Sequence, residues 1–118
     1  MAGLQVETVT DSTQPDSSGD GGQGERIVTI RNRYGLHARP AAEFVKLSSK
    51  FKSEITVEKD GLEVNGKSIM GVMMLAAECG SELRIRAVGE DADEAVEALA
   101  TLVGDRFGEA ESHYETEN

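Results

Sequence analysis

Apolar and polar residues alternate along four segments of the chain, and this two-residue period is typical of strands with one buried face. The predicted strands cover residues 26–32, 54–59, 62–64 and 82–88. Between the second and third of them lies Asp60-Gly61, a pair that strongly favours a two-residue hairpin turn. The connections are short, so the strands are expected to pair antiparallel in one sheet.

Three other segments repeat apolar residues every three or four positions, which is the period of a helix with one buried stripe. The first is predicted from about residue 38 to residue 50, with a stripe of Ala41, Phe44, Val45, Ser48 and Phe51. The second is expected to begin after Ser68 as N-cap and to end at Gly80, with Met74 and Leu75 in the core. The order βαββαβα implies an α+β fold, a four-stranded antiparallel sheet covered on one face by three helices.

The third helix is predicted to follow Asp91, which forms a capping-box pattern with Glu94 three residues later. Its inward stripe is expected to contain Ala92, Val96, Leu99, Leu102 and Val103. Phe107-Gly108 is expected to close it.

Charge is unevenly distributed along the 118 residues, whose formal net charge is −10. Residues 1–25 contribute −5 and residues 109–118 contribute −4, so residues 26–108 are nearly neutral. The first segment is rich in Ser, Thr, Asp, Gly and Gln, and we expect it to be a disordered extension because it has too few apolar residues to offset the entropy of ordering. A folded domain of residues 26–108 is therefore expected, followed by an acidic tail.

Composition also limits the location and the partners of the protein. No apolar run is long enough to cross a membrane, and the first residues lack the pattern of a secretory signal, so a cytoplasmic protein is expected. The lone Cys79 cannot form an internal disulfide and is expected to be a small buried residue in a turn. An acidic protein is not expected to bind nucleic acid, although a basic patch near Arg39 could meet acidic partner proteins.

His37 lies where the first helix is predicted to begin, since Pro40 suits a first helical turn whose N–H groups lack intrahelical partners. Those N–H groups and the positive end of the helix dipole form an anion site that often holds phosphate. An imidazole beside it can accept a phosphoryl group, while Arg39 can donate to the phosphoryl oxygens. Phosphoryl transfer needs little beyond such positioning and charge stabilisation. The alternative is that His37 is only a polar cap or a surface residue.

Two segments carry a resemblance to a known family. The segment around His37 is similar to the active-site signature of the histidine-containing phosphocarrier (HPr) family of the bacterial phosphoenolpyruvate-dependent phosphotransferase system; it reads Gly35-Leu36-His37-Ala38-Arg39-Pro40-Ala41-Ala42. The second resembles the regulatory-serine segment of that family and reads Asn65-Gly66-Lys67-Ser68-Ile69-Met70-Gly71-Val72-Met73. The similarity covers roughly residues 26–107 and implies the HPr-like open-faced β-sandwich.

The resemblance implies roles for the matched residues. His37 would accept a phosphoryl group at Nδ1 from phosphorylated Enzyme I and pass it to a IIA domain, while Arg39 stabilises the group in transfer. The protein would then be a carrier without turnover of its own rather than an enzyme. Ser68 would be phosphorylated by an HPr kinase/phosphorylase where the organism has one. The partner-docking surface would consist of Ala42, Lys46, Ile69, Met70 and Met73.

Two alternatives stay open. A nitrogen-related phosphotransferase paralogue would use the same chemistry with a different Enzyme I and IIA domain. A regulatory α/β sandwich would bind a ligand or protein through its sheet without transferring phosphate, as HPr-like co-regulators that lack the histidine do, but the presence of both His37 and Arg39 speaks against it.

No cofactor or metal site is expected, because the sequence has no cysteine–histidine cluster, glycine-rich nucleotide loop or paired-carboxylate constellation. His113 could bind a metal weakly within the acidic tail, but a solvated charge run is the favoured interpretation.

Overall fold

A computed structural model describes residues 22–109, which form a four-stranded antiparallel sheet with three α-helices on one face. In chain order the elements are β1 (Gln23–Thr29), α1 (Ala38–Ser48), β2 (Glu54–Lys59), β3 (Leu62–Asn65), α2 (Ile69–Met74), β4 (Glu82–Val88), α3 (Ala92–Gly104) and a short 3₁₀ helix (Arg106–Gly108). The strands lie in the order β1-β4-β2-β3. The predicted fold class and element order are therefore confirmed.

The core lies between the helices and one face of the sheet. Alternate residues of β2 and β4 point into it and are fully buried, and the stripes of α1 and α3 cover them. The inward strand residues are Ile55, Val57, Leu83, Ile85 and Ala87, and the buried helix residues include Ala41, Phe44, Ala92, Val96, Leu99 and Val103. The two-residue period of the strands and the three-to-four-residue period of the helices therefore predicted the correct buried faces.

The opposite face of the sheet is open and carries ion pairs between neighbouring strands. A guanidinium nitrogen of Arg84 on β4 lies 2.6 Å from a carboxylate oxygen of Glu25 on β1. The guanidinium of Arg86, also on β4, lies at the same distance from a carboxylate oxygen of Glu63 on β3. The hydrogen bond to Glu63 is the main reason that the pKa of Arg86 is raised. These charged side chains keep this face compatible with water.

The first strand begins earlier and ends earlier than predicted. β1 starts at Gln23, within the segment expected to be disordered, and pairs with β4 from Gln23 opposite Val88 to Thr29 opposite Glu82. A Cβ on Gly24 would lie 2.9 Å from Val96 Cγ2, so this glycine allows α3 to pack closely on β1. The rest of the predicted disordered extension, residues 1–21, lies outside the described residues.

Three local predictions about the helices were wrong. α2 ends at Met74, well before Gly80, and the Met74 side chain is 65% exposed rather than in the core, although Leu75 is buried as expected. Asp91 is the N-cap residue of α3, but its side chain makes no cap hydrogen bond among the described residues. Its carboxylate instead accepts from the backbone N–H groups of Lys52 and Ser53 and from the Ser53 hydroxyl, at 2.8, 3.0 and 2.5 Å. The hydroxyl bond is the main reason that the pKa of Asp91 is lowered.

Cys79 also differs from expectation, because it is exposed rather than buried. Among residues 22–109, no helix has the length and apolar composition needed to cross a membrane. Within that range no group of three or more His, Cys, Asp or Glu side chains could hold a metal ion. His113 lies outside the described residues.

Candidate functional site

His37 is the N-cap residue of α1, with an extended backbone at φ −77° and ψ −174°. Its carbonyl oxygen accepts the first helical hydrogen bond, from Ala41 N–H at 3.0 Å. Its side chain is 41% exposed and makes no cap hydrogen bond within the described part of the chain. The predicted position at the start of the helix is therefore correct, and the ring is accessible to a partner protein.

The loop before His37 is held against the segment that follows α2. Gly35 has a positive φ of 69°, and an added Cβ there would overlap the Ala77 carbonyl oxygen and lie 2.9 Å from Glu78 Cα. The next residue, Leu36, is buried and donates its N–H to the same Ala77 oxygen at 2.9 Å. This close backbone contact requires glycine and fixes the chain immediately before the imidazole.

Arg39 and Pro40 lie in the first turn of α1. The Arg39 side chain is 59% exposed on the same end of the helix as His37, whereas Pro40 is buried. The N–H groups of Ala38 and Arg39 precede the first helical hydrogen bond, which Ala41 donates, and Pro40 has no N–H to leave unpaired there. The structure therefore brings together the imidazole, the guanidinium and the helix N-terminus, as the sequence predicted.

A carboxylate that was expected to lie in the solvated acidic tail completes this group of residues. Glu109 has a side chain that is only 6% exposed, and its Oε2 lies 3.2 Å from His37 Nε2 and 3.3 Å from an Arg39 guanidinium nitrogen. Its Oε1 accepts from Asn32 Nδ2 at 3.3 Å. Glu109 and Asn32 were both missed as site residues.

An unusual turn after α3 carries Glu109 to the site. Arg106, Phe107 and Gly108 have positive φ angles of 58°, 55° and 80°, a conformation that costs about 1–2 kcal/mol for each residue with a side chain. Phe107 is buried at 3% exposure and anchors the turn in the core. An apolar residue beyond the helical stripe was the one sequence signal that the chain continues to pack past α3.

Asn32 supports the loop from inside. It is 1% exposed, and its Nδ2 donates to the Gly35 carbonyl at 2.7 Å as well as to Glu109. Among the described residues its Oδ1 has no hydrogen-bond partner. The same amide group therefore links the glycine turn to the nearly buried carboxylate of Glu109.

Tyr34 was given no direct role from sequence. Its ring is 60% exposed and meets the His37 ring edge-on, with centroids 6.3 Å apart and an interplanar angle of 84°. The Arg33 guanidinium carbon lies 5.5 Å from the centre of the tyrosine ring. The tyrosine ring is therefore a direct neighbour of the imidazole.

Ser68 is the N-cap residue of α2, as predicted, and its hydroxyl accepts from Gly71 N–H at 3.0 Å. Around it, Lys67 donates its ammonium to the Phe51 carbonyl at 2.7 Å and its N–H to Asn65 Oδ1 at 2.8 Å. The serine is therefore a helix cap in a well-bonded turn, and it is half-buried.

The residues predicted to dock partners lie on α1 and α2, which pack against each other. On α2, Ile69, Met70 and Met73 are 44%, 74% and 40% exposed. On α1, Ala42 is half-buried and Lys46 is exposed in the last turn. We call these five residues the α1–α2 surface. The chain just after α2 also contacts the loop before His37, where the Leu36 N–H donates to the Ala77 carbonyl oxygen.

Comparison with known proteins agrees with this architecture. A protein-family model described as the PTS HPr component phosphorylation site matches residues 25–105. The phosphocarrier protein HPr of Cupriavidus necator is 46% identical over 87 residues, which cover 74% of this chain and 98% of that protein. The HPr-like protein Crh of Bacillus subtilis is 51% identical over 79 residues, which cover 67% of this chain and 93% of that protein.

Solved structures lead to the same family. The crystal structure of HPr-C-His from Thermoanaerobacter tengcongensis matches with a TM-score of 0.72 and 49% identity, covering 74% of this chain and 98% of that one. With its predicted fold confirmed and the family model covering most of its length, this chain belongs to the HPr family of phosphocarrier proteins of the bacterial phosphotransferase system.

Proposed function

We propose that His37 is the phosphoryl acceptor of this protein, taking the group from phosphorylated Enzyme I and passing it to a IIA domain. The observation that carries the proposal is the position of His37, an exposed N-cap residue with Arg39 two residues later in the same first turn. Its Nε2 faces Glu109, which leaves Nδ1 as the ring nitrogen available to a donor.

The helix N-terminus and Arg39 account for the stabilisation that transfer needs. The phosphoryl group carries its charge on three oxygens, and catalysis of its transfer rests on positioning and on donors aimed at that charge. The first-turn N–H groups and the guanidinium of Arg39 are such donors. We therefore assign Arg39 the role of holding the phosphoryl oxygens.

The α1–α2 surface is the proposed docking site for both partners. Its α2 residues Ile69, Met70 and Met73 are large, apolar and exposed, and the flexible methionines among them suit a surface that must fit more than one protein. Lys46, together with the exposed Arg31 and Arg33 in the loop before His37, would favour acidic groups on the partner. A carrier of this kind acts in the cytoplasm, where we place the protein.

Labelling tests the proposal directly. Incubation with phosphoenolpyruvate and the Enzyme I of the same organism is expected to put an acid-labile phosphate on the wild-type protein and none on His37→Ala. The matched control is Tyr34→Ala, which removes the neighbouring ring and should still be labelled. Absence of label on the wild type with every Enzyme I of that organism would refute the proposal.

A regulatory role through Ser68 is a second proposal within the same protein. The chain is 46% identical to an HPr and 51% identical to Crh, so identity alone does not separate these two kinds of protein. Ser68 is the cap of α2, directly beside Ile69 and Met70 of the docking surface. Phosphorylation by an HPr kinase/phosphorylase would place about −1.5 to −2 charge there and oppose docking.

The nitrogen-related paralogue shares this chemistry and differs only in its partners. Pairing the protein with each Enzyme I of the organism, and then with each IIA domain, separates the two branches. Equal signalling by His37→Ala and wild type would instead favour the non-transferring regulatory module.

A further inference from the structure

We propose that Glu109 is a positioning residue for His37: its carboxylate accepts the Nε2 proton and so keeps Nδ1 unprotonated and ready to attack. The inference rests on the proposed function, since it concerns how the same imidazole is prepared for phosphoryl transfer. It is carried by a direct contact between a nearly buried carboxylate and one particular ring nitrogen.

The neutral imidazole has one nitrogen that carries hydrogen and one that carries a lone pair, and the hydrogen bonds around the ring decide which is which. A carboxylate can only accept, so Glu109 Oε2 at 3.2 Å from Nε2 favours the form with the proton on Nε2. The lone pair is then on Nδ1. That is the nitrogen on the side of the ring away from Glu109.

During phosphoryl transfer, the contact between Glu109 and the imidazole becomes more stabilising. When the Nδ1 lone pair forms the new bond to phosphorus, the donor's bond to phosphorus breaks and its electron pair stays on the donor. Nε2 keeps its proton, so the ring becomes an imidazolium with a positive charge. Glu109 lies beside that charge and stabilises it, and the ring can later leave as a neutral imidazole when the group moves on.

The carboxylate itself is held in place by two other donors. Arg39 donates to the oxygen that faces His37, at 3.3 Å, and Asn32 donates to the other oxygen, also at 3.3 Å. A nearly buried carboxylate needs such partners, because its desolvation is costly without them. The turn of three positive-φ residues, anchored by Phe107, leads directly into Glu109.

Nitrogen-15 NMR of His37 in the unphosphorylated full-length chain is the primary test, because its two ring shifts report where the proton resides. In wild type, at a pH where the ring is neutral, we expect Nε2 to carry the proton in nearly all molecules. Glu109→Ala should show a measurably larger share of the Nδ1-protonated form. Glu109→Gln should restore the wild-type form, because two donors converge on the Oε2 position and favour the amide oxygen there.

The second readout is the rate at which Enzyme I phosphorylates the protein. Glu109→Ala is expected to be about 10-fold slower or more, the size of one charge-assisted hydrogen bond lost at the reacting group. Glu109→Gln should fall between the two, since it keeps the acceptor and loses the charge. The matched control is Glu97→Ala, which removes an exposed carboxylate that pairs with Arg26 at 2.9 Å, and its rate should equal wild type.

An unchanged tautomer in Glu109→Ala, or a rate equal to or above wild type, would overturn the inference. Thermal unfolding of both Glu109 variants confirms that they are folded during these measurements. The NMR test needs no phosphoryl donor, so it decides the role of Glu109 even if wild type accepts no phosphate. That last result would refute the proposed function alone.

Discussion

Replacing Gly35 by alanine should damage the His37 loop through two separable costs. Gly35 has a φ of 69°, and forcing a residue with a Cβ into this region costs about 1–2 kcal/mol. The new Cβ would also overlap the Ala77 carbonyl oxygen, which accepts the Leu36 N–H at 2.9 Å. Moving the two backbones apart breaks that hydrogen bond, at a further cost of about 1 kcal/mol.

The expected total is therefore about 2–3 kcal/mol of unfolding free energy, which corresponds to a fall in melting temperature of about 10–20 °C for a domain of this size. The matched control is Gly61→Ala in the hairpin turn. Gly61 also has a positive φ, of 88°, but an added Cβ there meets nothing within 4 Å. The control should lose only the conformational part, about 1–2 kcal/mol.

Urea denaturation of wild type and both variants measures the two costs, provided the slope of the transition is unchanged so that the midpoint reports stability. The rate of phosphorylation by Enzyme I should fall in Gly35→Ala, because His37 directly follows the displaced segment, and should be unaffected in Gly61→Ala. Equal stability losses in the two variants would show that the Ala77 contact contributes nothing, and the reasoning would be refuted.

Three further predictions concern other parts of the domain. Asp91→Asn should lower the melting temperature most at neutral pH and progressively less in acid. Folding lowers the pKa of Asp91, so its carboxylate contributes its full stabilisation above the ordinary aspartate pKa. That stabilisation is lost as the pH falls through the lower pKa of the folded state. Ser68→Ala should lower the unfolding free energy by about 1 kcal/mol, because it removes the α2 cap. Ser68→Asp should keep the cap and slow the phosphorylation of His37. A large stability loss in Ser68→Asp with normal transfer would show that Ser68 is only a cap. Met70→Ser should weaken Enzyme I binding while changing stability by less than about 0.5 kcal/mol, and its control Leu75→Ala should cost about 2–5 kcal/mol because Leu75 is buried.

Local patterns were enough for the parts of this fold that local physics determines. The alternation in β2 and β4, the Asp60-Gly61 turn and the stripes of α1 and α3 each reflect a period that the element itself imposes. His37 could be placed at a helix start for the same reason, because Pro40 restricts where that helix can begin. The imidazole–guanidinium pair was therefore predictable from residues that are close in the chain.

The predictions that were wrong concerned features that depend on contacts between distant segments of the chain. Gly24 was interpreted as part of a disordered extension, yet its missing side chain is what lets α3 lie on β1. Asp91 matches a capping-box pattern, but Ser53 and Lys52 reach its carboxylate from another loop and compete successfully for it. Met74 falls within the apolar run of α2, yet it is the last residue of that short helix and is 65% exposed.

Glu109 is the most consequential of these cases for function. It is separated from His37 by 72 positions, and its approach depends on left-handed backbone at Arg106 and Phe107, which neither residue type favours. No local rule would place such a turn there. A charged residue in an acidic run is ordinarily solvated, so composition favoured the wrong environment for this one carboxylate.

The position of Arg39 between two anions suggests how a carrier avoids holding its phosphate too tightly. If Arg39 binds the phosphoryl oxygens as proposed, it must loosen its contact with Glu109 at 3.3 Å to do so. The guanidinium then exchanges one charge-assisted contact for another, and the net stabilisation of the phosphorylated state is the difference between the two rather than the full strength of either. Because a relay has to receive the group from one protein and release it to the next, a small difference serves it better than a large one. The Glu109 carboxylate would thus assist the attack through Nε2 and, through its contact with Arg39, limit the stability of the phosphorylated state.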